Sequence, residues 1–178
     1  MRIIEVYKAD LLNGTGLRNV YFFSGCTHHC PGCFQAWTAD PMCEQSRDWT
    51  EEDYQQLLSD TSPEHISGIT LSGGDPLSPW NEKDIIELCK RFKKDLPEKT
   101  IWVYTGFTWE QIEHNPSMRE ILPYIDVVCD GPFIESLKSP QKLWVGSSNQ
   151  RVIDVQKSLQ ENKIIEYEIY KNGEKENP

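Results

Sequence analysis

Four times along this chain an apolar run stops abruptly at a glycine-bearing turn. Asn19–Ser24 ends at Gly25, and Gly68–Leu71 runs into Ser72-Gly73-Gly74-Asp75-Pro76. Thr100–Thr105 ends at Gly106, and Ile125–Cys129 ends at Asp130-Gly131-Pro132. The runs are rich in Val, Ile, Tyr, Phe and Trp, which fit a pleated surface, and the turn residues bound them as strands. Helix signals lie between. Thr50 is a candidate N-cap ahead of Glu51-Glu52-Asp53, whose charges suit the positive end of a helix. Residues 81–94 place Ile85, Ile86, Leu88, Cys89 and Phe92 at helical spacing. Thr108-Trp109-Glu110-Gln111 reads as a capping box, and Ser117-Met118-Arg119-Glu120 repeats that signal before Pro123. Arg2–Tyr7 is a further strand, with Arg151–Val155 and Ile164–Tyr170 as strand candidates after Leu143.

Strands that alternate with helices and end in glycine-rich turns build βα units, so the expected class is α/β with a mainly parallel sheet. Ligands in such sheets bind beyond the carboxyl ends of the strands. The cysteine loop that follows Ser24, together with Ser72–Asp75, Thr105-Gly106 and Asp130-Gly131, is therefore expected to meet on one rim. A chain of 178 residues with 38% apolar and 26% charged residues can bury one core without disulfides. The expectation is one domain over residues 1–171 and a polar tail, Asn172–Pro178. A net charge of −10 argues against a nucleic-acid backbone as the main partner, because phosphate contacts need a basic surface. The acid-rich stretches Glu51–Asp53 and Glu161–Glu176 read as solvated faces. The apolar runs are far shorter than a membrane span, and Met1-Arg2-Ile3-Ile4-Glu5 lacks an apolar h-region, so a cytoplasmic address away from membranes is expected.

In that setting, clustered cysteines point to metal or redox chemistry. Cys26-Thr27-His28-His29-Cys30-Pro31-Gly32-Cys33 places three thiols in eight residues, and Gly25, Pro31 and Gly32 supply the turns for a tight curl. Thiolates are the standard ligands of iron–sulfur clusters. Three ligands on a cubane of four irons leave one iron open to a substrate or cofactor. The competing reading is structural zinc that recruits Cys43, His28 or His29, although zinc sites usually arrange their ligands as two pairs. Cys89 on its helical stripe and Cys129 within a strand read as core, and Cys43 as a loop residue that binds no metal. Asp75-Pro76 reads as shaping the exit of its turn.

These features resemble the radical S-adenosylmethionine superfamily and, within it, the activating proteins of anaerobic ribonucleoside-triphosphate reductase. The resemblance rests on Phe22-Phe23-Ser24-Gly25-Cys26, Cys30-Pro31-Gly32-Cys33, Ser72-Gly73-Gly74-Asp75-Pro76-Leu77, Tyr104-Thr105-Gly106, Asp130-Gly131-Pro132-Phe133 and Gly146-Ser147-Ser148-Asn149-Gln150-Arg151. It implies a partial (βα) barrel with helices outside, and a 4Fe-4S cluster held by Cys26, Cys30 and Cys33. It further implies that S-adenosylmethionine is bound by Gly32, Cys33, Phe34, Ser72, Gly73, Gly74 and Asp130. In the superfamily the residue before the third cysteine is often aromatic and packs on adenine; here it is Gly32, with Phe34 adjacent. The Gly73-Gly74 turn lets backbone carbonyls approach the methionine amino group, so a side chain at Gly74 is expected to weaken ligand binding while the cluster still assembles. For Asp130, holding the ligand or a cation and simple turn formation both stand open.

The implied activity is reductive cleavage of S-adenosylmethionine to methionine and a 5′-deoxyadenosyl radical. The electron comes from a reduced flavodoxin-like donor, and a glycyl radical forms on the large reductase subunit. Alternatives are activation of another glycyl-radical enzyme, a small-molecule radical reaction, or a zinc-binding interaction module with no catalysis.

Overall fold

The computed structural model describes residues 1–171 and 174–176, with segments 169–171 and 174–176 described by their backbone. The chain begins with an antiparallel pair, β1 (Arg2–Asp10) and β2 (Leu17–Phe23). A short β3 (Arg47–Asp48) edges β1. Three crossovers follow: α1 (Glu51–Thr61) leads to β4 (Ile66–Gly73), α2 (Glu82–Asp95) to β5 (Thr100–Tyr104), and α3 (Trp109–His114) to β6 (Val127–Asp130). An antiparallel β7 (Arg151–Asp154) and α4 (Val155–Glu161) come next. A hairpin of β8 (Ile169–Lys171) and β9 (Glu174–Glu176) comes last. Among the described residues the main sheet has the order β3-β1-β2-β4-β5-β6-β7, and its four central strands are mutually parallel. It is open, as a partial barrel requires.

The helix starts follow their sequence signals. Thr50 closes a capping box with Asp53, and Thr108 closes one with Gln111, so otherwise unpaired first-turn N–H groups are satisfied by side chains. The Ser117 signal does not produce an α-helix. Asn115 Oδ1 accepts from the N–H groups of Ser117 and Met118, Ser117 makes no capping bond, and Pro123 lies within the following segment, Met118–Tyr124, a 3-10 helix. The Ile164–Tyr170 strand is shorter than expected. Only Ile169–Lys171 is extended into a strand, and Glu166 makes an isolated bridge to Ile153. Of the expected polar tail, residues 172, 173, 177 and 178 lie outside the described residues.

Alternation along the strands sorts two faces. Ile69, Leu71, Ile101, Val103, Val128 and Ile153 pack against the helical layer, including Ile85, Leu88, Cys89 and Phe92 of α2. The other face carries Trp102, Val127, Cys129 and Val152, covered by Tyr104, Trp144 and Tyr167. At the amino end of the parallel strands this face is closed by Arg18, which is 0% exposed. Its guanidinium donates to Thr70 Oγ1, Thr100 Oγ1 and the carbonyls of Thr15, Ile69 and Thr100, so all five N–H donors are taken. Its carbon lies 5.3 Å from the centre of the Trp102 ring, a cation–π contact. Burial lowers its pKa to about 10. The opposite, carboxyl end of the strands is where the functional residues gather. No helix among the described residues is long and apolar enough to cross a membrane.

Candidate active site

Cys26 leaves β2 through Ser24 and Gly25, and backbone bonds hold its start: Gly25 N–H donates to Thr38 O at 2.8 Å and Cys26 N–H to Ala39 O at 3.0 Å. The loop then curls through His29, which has a positive φ of 46°, and Cys33 N–H donates to Cys30 O at 3.1 Å. The curl brings Cys26, Cys30 and Cys33 around two adjoining cavities of about 140 and 170 Å3. Gly73 and Gly74 line both. The first cavity is walled by Ser72 from the end of β4, Tyr104 to Gly106 after β5, Cys129 and Gly131 at β6, and Phe133 and Gln150 from later loops. The second is walled by Gln35, Ala36, Thr38 and Ala39. The four strand-end loops therefore meet, as the βα order predicts. Larger cavities near Met1 and Arg91, about 300 Å3, and between α2 and Ser117, about 450 Å3, hold no thiols.

The approach of the second loop to the first is set by Gly74. Gly74 N–H donates to Phe23 O and Asp75 N–H to Gly25 O, and a Cβ on Gly74 would lie 2.5 Å from the Gly25 carbonyl oxygen. Below this junction Asp75 is 0% exposed. Its Oδ1 accepts from Leu77 N–H at 2.8 Å and Thr105 Oγ1 at 2.9 Å, and its Oδ2 accepts from Gly106 N–H at 2.9 Å. His28 Nε2 stands 2.9 Å from the same Oδ2, at an angle too bent for a regular hydrogen bond, so the contact is electrostatic. Asp75 thus does much more than end a turn. It joins the cysteine loop to the β4 and β5 loops.

The remaining expected residues fall into distinct places. Cys33 is exposed and lines both cavities. Gly32 has φ +73° and faces the Glu135 carboxyl rather than either cavity. Phe34 is 95% exposed and lines neither cavity. Asp130 is 1% exposed and turns away: its Oδ2 accepts from Trp109 N–H at 2.7 Å, and both its oxygens meet the Arg151 guanidinium. Cys43 is buried in its loop and borders neither cavity, and Cys89 lies in the helical core. Cys129 is buried as expected but also borders the first cavity, where burial pushes its thiol up to about 12 while the Tyr104 hydroxyl lowers it. The late Gly-Ser-Ser-Asn-Gln-Arg segment is a clamp. Gln150 Oε1 accepts from Gly146 and Ser147 N–H, and its amide donates to Gly131 O; Asn149 donates to Pro132 O.

The donor set fits an iron–sulfur cubane. Cys26, Cys30 and Cys33 are free thiols facing shared space beside a glycine wall that brings no side chain into it. Burial pushes the Cys26 thiol up, and the backbone N–H groups of His28 and His29 offset part of that by donating toward its sulfur.

Comparison with known proteins agrees with this geometry. Residues 12–153 match the family described as 4Fe-4S single cluster domain. The anaerobic ribonucleoside-triphosphate reductase-activating protein of Salmonella typhimurium is 39% identical over 154 residues, covering 85% of this chain and 97% of that protein. The protein of that name from Escherichia coli K12 is 38% identical over the same shares, and that of enterobacteria phage T4 is 40% identical over 85% of this chain and 93% of its own. The chain belongs to the family of anaerobic ribonucleoside-triphosphate reductase-activating proteins and carries its 4Fe-4S cluster domain.

Proposed function

We propose that this protein generates a glycyl radical on the large subunit of anaerobic ribonucleoside-triphosphate reductase by reductive cleavage of S-adenosylmethionine. The observation that carries the reading is one rim that presents three free thiols and a glycine wall to shared space in a member of this family. Cys26, Cys30 and Cys33 would each hold one iron of a 4Fe-4S cluster. When bound, the cluster supplies one electron to S-adenosylmethionine, whose carbon–sulfur bond breaks.

This chain's residues position and shield that chemistry. Ser72, Gly73 and Gly74 offer backbone to the methionine end of the ligand. Tyr104 to Gly106, Gly131, Phe133 and Gln150, which line the same cavity, would enclose the remainder and exclude water. Phe34 stands exposed and lines neither cavity, so it takes no part in that enclosure. The electron donor is proposed to be a reduced flavodoxin-like protein.

The test is anaerobic incubation of the iron-loaded chain with S-adenosylmethionine, a one-electron reductant and the reductase large subunit, followed by electron paramagnetic resonance. The expected result is a doublet from a carbon-centred radical on the reductase, with methionine released. Methionine release with no radical on the reductase would move the assignment to another substrate. One zinc per chain with no labile sulfide would remove the cluster.

A further inference from the structure

His28 sits inside the cysteine loop yet is tied outside it. Its Nε2 is 2.9 Å from Asp75 Oδ2, and that carboxylate is wholly buried. The ring edge thus meets the carboxylate in a polar contact rather than an aligned hydrogen bond. The ring meets Phe107 edge-on, with centroids 4.5 Å apart. It also fills the space beside Gly106, where a Cβ would lie 2.3 Å from His28 Cδ2. At the other side of the residue, His28 N–H points to Cys26 Sγ at 3.5 Å. One residue therefore touches the first thiol through its backbone and the Asp75 junction through its ring.

We infer that His28 is a positioning residue: its ring, set against the buried Asp75 carboxylate and packed on Phe107 and Gly106, locks the cysteine loop to the β4 and β5 loops and so fixes where the three thiols face. The inference rests on the proposed cluster site but concerns this chain's own loop, which exists with or without iron. Among the described residues no hydrogen bond ties the middle of the loop to the barrel. Its start is tied by Gly25 and Cys26 to the Thr38–Ala39 backbone, whereas Cys33 N–H donates within the loop to Cys30 O. A polar contact with a wholly buried carboxylate is strengthened by the low local dielectric, so it can anchor such a loop.

Two measurements on the full-length chain test this, one without iron. In the metal-free, reduced protein, alkylation by iodoacetamide is followed at each cysteine by mass spectrometry. His28→Ala should speed modification of half-buried Cys26 and Cys30 by roughly tenfold, the worth of losing one buried polar contact. Exposed Cys33 should change little, and Cys89 and Cys129 should stay unreactive, which shows that the chain remains folded. In the reconstituted protein, iron loss to a chelator should quicken, and the paramagnetic resonance spectrum of the reduced cluster should change. His28→Gln, which keeps a donor, should restore both readouts. His28→Phe, which keeps the ring against Phe107 without a donor, should not. Wild-type behaviour of His28→Phe, or failure of His28→Gln to rescue, would overturn the role of the polar contact with Asp75 and leave ring packing in its place. Unchanged alkylation in His28→Ala would overturn the lock itself. A wild-type chain that takes up no iron would instead sink the cluster, and the alkylation result would still decide the role of His28.

Discussion

Gly74 and Gly25 meet backbone to backbone, so close that a Cβ on Gly74 would lie 2.5 Å from the Gly25 carbonyl oxygen and 2.9 Å from its nitrogen. From sequence, a side chain at Gly74 is expected to weaken S-adenosylmethionine binding and spare the cluster. The contact changes that expectation, because Gly25 immediately precedes Cys26. Gly74→Val should push the cysteine loop outward and lower both iron uptake and ligand affinity. Iron and sulfide analysis after anaerobic reconstitution checks this: full loading of the variant would show that the loop tolerates the displacement.

The six cysteines should separate cleanly. Cys26→Ala, Cys30→Ala or Cys33→Ala should each abolish methionine release, and the unaltered chain should take up about four irons and four sulfides. Cys89 is wholly buried in α2, and burial pushes its thiol pKa far up. Cys89→Ala should cost about 1–2 kcal/mol in urea unfolding as a small core truncation and leave methionine release largely intact. Equal loss of activity from Cys89→Ala would show a role beyond packing.

Arg151 bridges the buried Asp130 carboxylate and the more exposed Glu110. Removing it in Arg151→Met should destabilise the chain by about 3 kcal/mol, the lower end for orphaning a buried charge. The effect depends on pH. Arg151 holds the Glu110 carboxyl down from 4.5 to about 2. That depressed pKa gives stability which is present above 4.5 and lost as pH falls towards 2. The gap between wild type and variant in urea midpoints should therefore narrow from pH 5 to pH 2. A gap that stays constant or widens would contradict the pairing with Glu110.

Arg18 offers a control at the far end of the barrel. Arg18→Met leaves the Thr70 and Thr100 hydroxyls and three carbonyls without their donor in a dry setting. A loss of about 2–3 kcal/mol in urea unfolding is expected, with iron loading unchanged. Loss of loading at full stability would place Arg18 in communication with the cysteine rim.

The parallel core was readable because each central strand carries β-branched or aromatic residues and ends at glycine, and because Thr50 and Thr108 cap helices through bonds only three residues long. The three thiols and Ser72–Gly74 stand out for a similar reason, as dense local patterns. What the sequence hides acts over distance. From sequence His28 stands out only as a candidate zinc ligand, because its partner Asp75 lies beyond β3, α1 and β4 in the chain. Gln150 and Asn149 belong to a visible motif, yet their bonds reach back to Gly131 and Pro132, which no local periodicity encodes. The Ser117 signal fails because the N–H groups that the serine side chain would cap, those of Arg119 and Glu120, go instead to the carbonyls of Asn115 and Ser117.

Arg18 and the aromatic trio of Trp102, Trp144 and Tyr167 fill the second face of the sheet with packed side chains. The space lined by the cysteines lies instead at the carboxyl ends of the strands. Rigidity and reactivity are thereby assigned to opposite poles of one sheet, so changes in the plug should register as lost stability and changes at the thiols as lost chemistry.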